Sequence, residues 1–361
     1  NMPSHFAAES GHEGVLKFLH PVVPETLTSK TNNGNMPSHL AASDGHEGVL
    51  KFLHDVVPET LTTKDNDGRM PSHLAAQNGH DSVLKFLHIV VPETFISREG
   101  NDGRMLSHLA ARHGHEGVLK FLHAVVPKTL SSKDNVGRMP SHHAARNGHE
   151  SVLKFLHAVV LETLRSKDDD GRMPSDRAAS NGHESVLKFL YAVVPETLSS
   201  KGNDGRMLSH VAAQNGHEGV LQFLHEVVPE TLSSKNSAGW MPAHFAALNG
   251  HEGVLKFLYA VVPETLSSKD NDGRMPSHLA AQNGHEGALK FLHEVVPETL
   301  SSKDNEGLMP SHWAAVDGHE GILKFLHEMV PETLGSKDNN GNVPSDLAAQ
   351  NGHEGLLNFL A

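Results

Sequence analysis

The sequence predicts an all-α repeat solenoid made of helix-turn-helix units. The first observation is a register: Met2 and its equivalents recur over ten intervals up to Val343, nine of 34 residues and one of 35. The second is a short Pro-to-Gly segment in most units, such as "PSHLAAQNG" at 71–79. The third is a longer apolar stripe, such as "DSVLKFLHIVV" at 81–91, which one unit cannot cover alone. Neighbouring units are therefore expected to cover each other.

Within a unit, the elements follow from turn and helix signals. "DNDG" at 65–68 is typical of a turn, and Pro71 occupies a position where a helix start tolerates a missing N–H. Gly79 ends a first helix of about eight residues, and a second helix begins near His80 and ends at Pro92. So short a first helix is not stable alone in water, so stacking must fold it.

No linker or composition shift interrupts the register, which predicts a single array over residues 1–361 of about eleven units, the last truncated. The one longer interval places an extra residue in "ISREGNDGR" around Gly100. Both ends are ordinary repeat sequence without atypical capping units, so we expect a fragment of a longer protein.

Composition excludes several classes of function. A net charge of −13 argues against sequence-independent nucleic-acid binding, and the absence of cysteine excludes disulfides and thiolate metal sites. No apolar run reaches the roughly 20 residues that span a bilayer. The repeated Ser-His pair, as at Ser72 and His73, recurs in eight units and points in two directions on a helix, so it is not a catalytic pair. No glycine loop for phosphate is present, and we expect neither an enzyme nor a cofactor.

The segment "MPSHLAAQNGHEGVLKFL" resembles the ankyrin repeat, whose hallmark is "TPLHxAA" followed by "GH" and an apolar helix. Met stands in place of the hallmark Thr, and Ser in place of its Leu. The tetratricopeptide repeat shares the 34-residue period but needs a Trp/Leu-Gly/Tyr pattern that is missing. The resemblance implies helix pairs with turn or β-hairpin tips in a curved superhelical array.

Thirty histidines raise the question of metal binding. The histidines of the "SH" motif recur at one position of the repeat, and those of the "GH" motif recur at another. We call each of these two series a ladder, and in ankyrins such histidines join adjacent repeats through hydrogen bonds. Stacked helices lie about 8–10 Å apart, too far for successive rungs to share a zinc ion. We therefore expect structural roles and no metal. A third ladder at the end of helix two, from His20 to His327 with Tyr191 and Tyr259 as substitutes, is expected to be solvated.

Function is expected where side chains vary between copies. The resemblance implies a concave surface built from the turn tips, the residue after the turn glycine and the pair before "GH". Basic departures, suited to an acidic peptide, are Arg104, Arg112, His113, Arg138, Arg146 and Arg172. Apolar departures, typical of binding anchors, are Trp240, Leu248, Leu308 and Val316. Drift in a duplicated array is the alternative explanation for both sets.

At the Leu position of "SHLAA", Phe245 and Trp313 are expected in the core, whereas His143 and Arg177 introduce polar groups. Asp176 also replaces a ladder histidine. A charged group there is costly unless it is paired. The sequence therefore predicts that the array opens first around residues 140–180.

These observations favour a non-enzymatic scaffold that binds a partner protein or peptide on its concave face, and neither nucleic acid nor membrane. One alternative is the targeting arm of a larger enzyme, toxin or host-directed effector whose catalytic domain lies outside this segment. Another is a spacer without a partner. We expect a cytoplasmic protein, or one in the host cytosol if it is a secreted bacterial effector.

Overall fold

The computed structural model describes residues 2–100 and 102–360, apart from the side chain of Asn358. Its internal contacts define two units, Asn1–Ala178 with Ala192–Val194, and Ala179–Tyr191 with Pro195–Ala361. The part of the loop insertion at Asn101 lies outside the described residues.

The described residues form 22 α-helices and no strands, arranged as pairs in tandem. The first helices of the pairs are α1 (Pro3–Glu9), α3 (Pro37–Ser43), α5 (Pro71–Asn78), α7 (Leu106–His113), α9 (Pro140–Arg146), α11 (Pro174–Ser180), α13 (Leu208–Gln214), α15 (Pro242–Leu248), α17 (Pro276–Gln282), α19 (Pro310–Val316) and α21 (Pro344–Gln350). The second helices are α2 (Glu13–Leu19), α4 (Glu47–Val56), α6 (Asp81–Val90), α8 (Glu116–Val125), α10 (Glu150–Val159), α12 (Glu184–Val193), α14 (Glu218–Val227), α16 (Glu252–Val261), α18 (Glu286–Val295), α20 (Glu320–Met329) and α22 (Glu354–Leu360). None of these helices is long and apolar enough to cross a membrane.

The predicted boundaries agree with α5 and α6, and Gly79 has the left-handed φ of 78° that ends α5. The sequence missed a 3₁₀ helix after each of the first ten helix pairs. In the repeat that contains α6, the Thr94 hydroxyl stabilises this turn by donating a hydrogen bond to the Val91 carbonyl at 2.9 Å. The 3₁₀ helices are Pro24–Leu27, Pro58–Leu61, Pro92–Ile96, Pro127–Ser131, Leu161–Leu164, Pro195–Ser199, Pro229–Ser233, Pro263–Ser267, Pro297–Leu300 and Pro331–Gly335.

Within each of the two units, the first helices of successive repeats pack against each other through their alanine pairs. Ala75 and Ala76 of α5 are fully buried, as are Ala280 and Ala281 of α17. Leu84 and Leu87 of α6 close the core from the second-helix layer. Small side chains on the first helix allow close approach, which buries the apolar stripe that no single pair could cover.

The "SH" histidines join successive repeats, as predicted. The amide of Met36 donates to His39 Nδ1 at 3.2 Å, and Nε2 of the same ring lies 3.2 Å from the Arg69 carbonyl in the next repeat. Because Nδ1 accepts, Nε2 carries the hydrogen and donates. His73, in the repeat that ends at the insertion, is an exception, because its buried Nε2 has no hydrogen-bond partner among the described residues. In His5, His278 and His312, Nε2 instead lies within 3.1 Å of a serine carbonyl in the connector of the same repeat.

The "GH" histidines bond back to the preceding repeat, which confirms their structural role. His115 Nε2 lies 2.8 Å from the Gln77 carbonyl, and a side chain on Gly79 would come within 2.5 Å of His115 Nδ1. Glycine at this position therefore meets two demands, a left-handed backbone and room for the histidine ring of the next repeat.

The third ladder is partly solvated, since His327 is exposed and Tyr191 and Tyr259 are 39% and 41% exposed, but its rings also make packing contacts that the sequence did not predict. The His54 ring packs edge to face on Phe86 of the next second helix, with centroids 6.0 Å apart. Tyr191 and Tyr259 make the same contact with Phe223 and Phe291 at 6.1 Å. An aromatic ring of either type fills this position, because the contact uses ring edges and faces rather than charge.

We predict that acid destabilises the array through the "SH" ladder. Burial lowers the pKa of His73, His210, His244 and His278 to about 4 and that of His108 to about 3. The unfolded chain, with histidine pKa values near 6.5, then binds more protons than the folded chain. Stability is therefore complete above about pH 6.5 and falls as the pH drops toward 4.

Circular dichroism melts between pH 7 and pH 4 measure this loss. Protonation would place a hydrogen on Nδ1, the atom that now accepts a hydrogen bond from the backbone N–H. This hydrogen bond would be lost. A melting temperature that does not change over the range would contradict the ladder geometry.

Candidate binding surfaces

In six described repeats, the turn before the first helix is built on a buried aspartate. Asp65 is 6% exposed, and its Oδ1 accepts the backbone N–H groups of Asp67 and Arg69 at 2.9 and 2.8 Å. Its Oδ2 accepts the Arg69 Nε at 2.9 Å. Both oxygens need donors because a buried carboxylate without partners is costly. The same backbone bonds recur at Asp134, Asp168, Asp270, Asp304 and Asp338.

The donor to Oδ2 comes from one of two positions, four or nine residues after the acid. Where the ninth residue is Leu, the fourth donates, as Arg274 does to Asp270 at 3.1 Å and Asn342 to Asp338 at 3.1 Å. In the repeats of Asp134, Asp168 and Asp304 the ninth residue donates instead. These donors are His143 at 3.0 Å, Arg177, and Trp313 Nε1 at 3.0 Å.

This exchange accounts for His143 and Arg177, the polar groups predicted to weaken the fold. Although burial opposes it, the hydrogen bond from His143 lowers the pKa of Asp134 to about 2. Asp176 replaces a ladder histidine and makes only one of its two hydrogen bonds. Its Oδ2 accepts a hydrogen bond from the Met173 N–H at 2.7 Å, as the histidine Nδ1 does in other repeats. Burial raises the pKa of this carboxyl to about 6. The departures between 140 and 180 are thus compensated, and opening there first stays a prediction.

The basic surface consists of Arg104, Arg112, His113, Arg138, Arg146 and Arg172, all in the first unit. Arg104 is neutralised, because it pairs with Glu99 at 2.9 Å and with Asp102. Arg172 is half-buried, and its backbone N–H donates to Asp168 Oδ1 at 2.9 Å. Arg112, His113 and Arg146 are exposed at the ends of α7 and α9.

Several of these cations lie within electrostatic reach of each other. Partial burial, and then repulsion from Arg138, Arg177 and Arg112, lowers the pKa of Arg146. Partial burial and the neighbouring Arg112 likewise lower the pKa of His113. Arg104, Arg112 and His113 also line a cleft of about 730 Å³, together with Gln77 and the turns at Lys64–Arg69 and Glu99–Gly100. This cleft lies at the insertion, where Gly100 approaches Asp67 and Gly68 so closely that neither glycine has room for a Cβ.

The apolar surface, consisting of Trp240, Leu248, Leu308 and Val316 in the second unit, is less exposed than expected. Leu308 is 7% exposed, so the expectation that it is an exposed anchor was wrong. Trp240 is half-buried against Phe245 at 5.0 Å and beneath Arg274 at 5.6 Å. Leu248 and Val316 are half-exposed at the ends of α15 and α19. Phe245 is core as predicted, whereas Trp313 is half-buried because its Nε1 bonds to Asp304.

Leu308 and Trp313 form a coupled pair of departures. The side chain of Leu308, four residues after Asp304, cannot donate to Oδ2, and Trp313, nine residues after the acid, supplies that donor. Sequence reasoning treated the two residues separately. The signal that could have joined them is the spacing from the turn acid.

No three His, Asp or Glu side chains within residues 2–100 and 102–360 are grouped to hold a metal ion. The ladder rings instead contact backbone groups.

Comparison with protein families gives one clear result. The model for ankyrin repeats (3 copies) matches residues 4–93, 107–197, 209–298 and 277–361. A search of curated proteins gives no match.

We predict that Asp168→Ala destabilises the fold by about 3 kcal/mol, the scale for a buried charge that loses its partner. Arg177 is only 12% exposed where it pairs with Asp168, and its second acidic neighbour, Asp170, lies 3.9 Å away, beyond hydrogen-bond distance. Arg274, the partner of Asp270, is 20% exposed and also bonds to Asp272 at 2.9 Å. Asp270→Ala removes the same kind of backbone bonds and is the matched control, with a smaller expected loss.

The measurement is urea unfolding together with hydrogen exchange of the amides around each turn. Adding Arg177→Leu, the residue type that other repeats carry, is expected to recover part of the loss. Equal losses for Asp168→Ala and Asp270→Ala would show that Arg177 does not depend on this carboxylate.

Proposed function

Because the chain belongs to the ankyrin repeat family, whose members are generally protein–protein interaction modules, we propose that it binds a protein or peptide partner. The proposed site is the turn face, defined as the residues that follow the turn glycines together with the last two residues before each "GH". This is the face that the resemblance identifies as concave. The family is typically non-catalytic, and we propose a non-enzymatic role for this segment.

One observation carries the proposal: the side chain at one position of this face varies between repeats while the backbone bonds around it stay the same. The default residue at this position before "GH" is a half-buried glutamine, as at Gln77, Gln214 and Gln282. Arg112, Leu248 and Val316 replace it, and Arg146 does so at the end of α9. The backbone carbonyls at 112, 248 and 316 accept histidine bonds just as the carbonyl of Gln77 does, so the ladder places no demand on the side chain.

The two units present different chemistry on this face. The first offers guanidinium groups at Arg112 and Arg146, which bind carboxylates in a fork geometry. The second offers Leu248 and Val316, together with the half-buried Trp240, which fits apolar anchors of a partner. The first surface therefore suits an acidic segment of a partner, and the second suits an apolar segment.

A selection from a peptide display library against the immobilised chain tests the proposal and needs no known partner. The face variant combines Arg112→Gln, Arg146→Gln, Leu248→Gln and Val316→Gln, which restores the residue of other repeats and should leave stability unchanged. We expect the selected peptides to bind this variant at least tenfold more weakly, about 1.4 kcal/mol.

The matched control is Lys120→Gln with Lys256→Gln on the second helices. These lysines are exposed, pair with Glu116 and Glu252 at 2.6 Å, and have a natural glutamine equivalent at Gln222. The control variant should bind like the wild type. Peptides that bind the face variant as tightly as the wild type, or depend on the lysines, would refute the turn face as the site.

A further inference from the structure

The two ways of satisfying the turn carboxylate have different consequences for the surface. In the repeat of Asp270, Arg274 is held by two carboxylates, at 3.1 Å from Asp270 and 2.9 Å from Asp272. Arg69 is held in the same way by Asp65 and Asp67, at 2.9 and 2.6 Å. These guanidinium groups are neutralised within their own turns and have little charge to offer a partner.

Arg138 is in a different position, because His143 occupies the carboxylate that Arg138 would otherwise bind. His143 Nε2 lies 3.0 Å from Asp134 Oδ2. The acidic oxygen that pairs with Arg138 is Asp168 Oδ2 at 3.9 Å, beyond hydrogen-bond distance, and Asp168 already bonds to Arg177. The Arg138 Nε is buried and has no hydrogen-bond partner among the described residues.

A buried guanidinium N–H without an acceptor is costly, and it marks a place where an acceptor from outside is favoured. Arg112 is exposed close by and makes no ion pair with a described residue. Arg112 and Arg146 hold equivalent positions at the ends of α7 and α9, which pack against each other. Burial, followed by repulsion from Arg138, Arg177 and Arg112, lowers the pKa of Arg146.

We propose that His143 displaces Arg138 from its turn carboxylate, and that Arg138 and Arg112 with Arg146 form a site for carboxylate side chains of an acidic peptide segment. This inference rests on the proposed function and names the partner chemistry for its first unit. Planar guanidinium groups pair with carboxylates through two parallel hydrogen bonds, so a run of Asp or Glu fits the site. His143 acts here as a positioning residue, since it is 6% exposed and reaches the ligand only through Arg138.

The experiment measures fluorescence anisotropy of a labelled oligoglutamate peptide with the intact chain at low ionic strength. We expect His143→Leu, which restores the default residue, to weaken binding about tenfold, because Arg138 then folds back onto Asp134. Arg138→Gln should weaken it similarly, and the double variant no further, since both changes remove the same contact. His143→Gln keeps a donor for Asp134 and should retain binding.

Leu279→His is the matched control, because it adds the same histidine beside Arg274 in a repeat that lacks the flanking arginines. It should not increase affinity for oligoglutamate. A crystal structure of the His143→Leu variant gives a second readout, with the Arg138 Nε expected about 2.9 Å from Asp134 Oδ2.

Each contrary result has one meaning. If His143→Leu binds like the wild type while Arg138→Gln and Arg112→Gln bind weakly, the displacement by His143 is refuted. If oligoglutamate does not bind, or if single-stranded DNA of equal charge binds more tightly, the carboxylate site is refuted. Neither result decides the proposed function. The display selection tests that separately, because selected peptides of other chemistry can still require the turn face.

Discussion

The hydrogen bonds of the buried "SH" histidine are the constraint on which the other features of each repeat depend. One ring nitrogen accepts the amide at the start of its own first helix, and the other donates to a carbonyl of the next repeat, as in His108 with Met105 and Arg138. The ring is fully buried and must stay neutral. A single side chain thus caps a helix that is too short to stand alone and fixes its distance from the next one. Met at the helix start loses the hydroxyl cap of the family pattern, and the histidine supplies another partner for its backbone.

The buried turn acid is the second constraint, and it links the interior to the surface. Its Oδ1 shapes the turn, whereas its Oδ2 can be satisfied from either of two positions, four residues later on the turn face or nine residues later in the first helix. A substitution at one position therefore permits or requires a substitution at the other, as with Leu308 and Trp313. Two residues that look independent in the sequence are joined by one oxygen atom.

The sequence was sufficient to predict the helices, the glycines that end them and the first two ladders, because periodicity and turn chemistry act locally. It was also enough to find the family. The 3₁₀ helices, the aromatic packing of the third ladder and the pairing of Arg177 could not be predicted in the same way. Each depends on which side chains lie opposite one another in neighbouring repeats, and a period of 34 residues does not show that.

The near-identical copies make it possible to separate structural departures from those that offer a binding surface. Departures that come with a compensating change, such as Leu308 with Trp313, are explained by the turn acid alone. In the second unit, Asn236 replaces the acid where Trp240 replaces Arg, so loss of the carboxylate accompanies loss of its cation. Leu248 and Val316 follow Trp240 and Leu308 by eight residues, the spacing at which Arg206 donates to Gln214 at 3.0 Å, so in both repeats the arginine and the glutamine are replaced together. Arg112 follows an arginine, as in the default, and the backbone around all three residues bonds as it does in the default repeats. Arg138 belongs to both groups. His143 donates the hydrogen bond that the buried Asp134 needs, and this same substitution leaves the Arg138 guanidinium available to a partner at the surface.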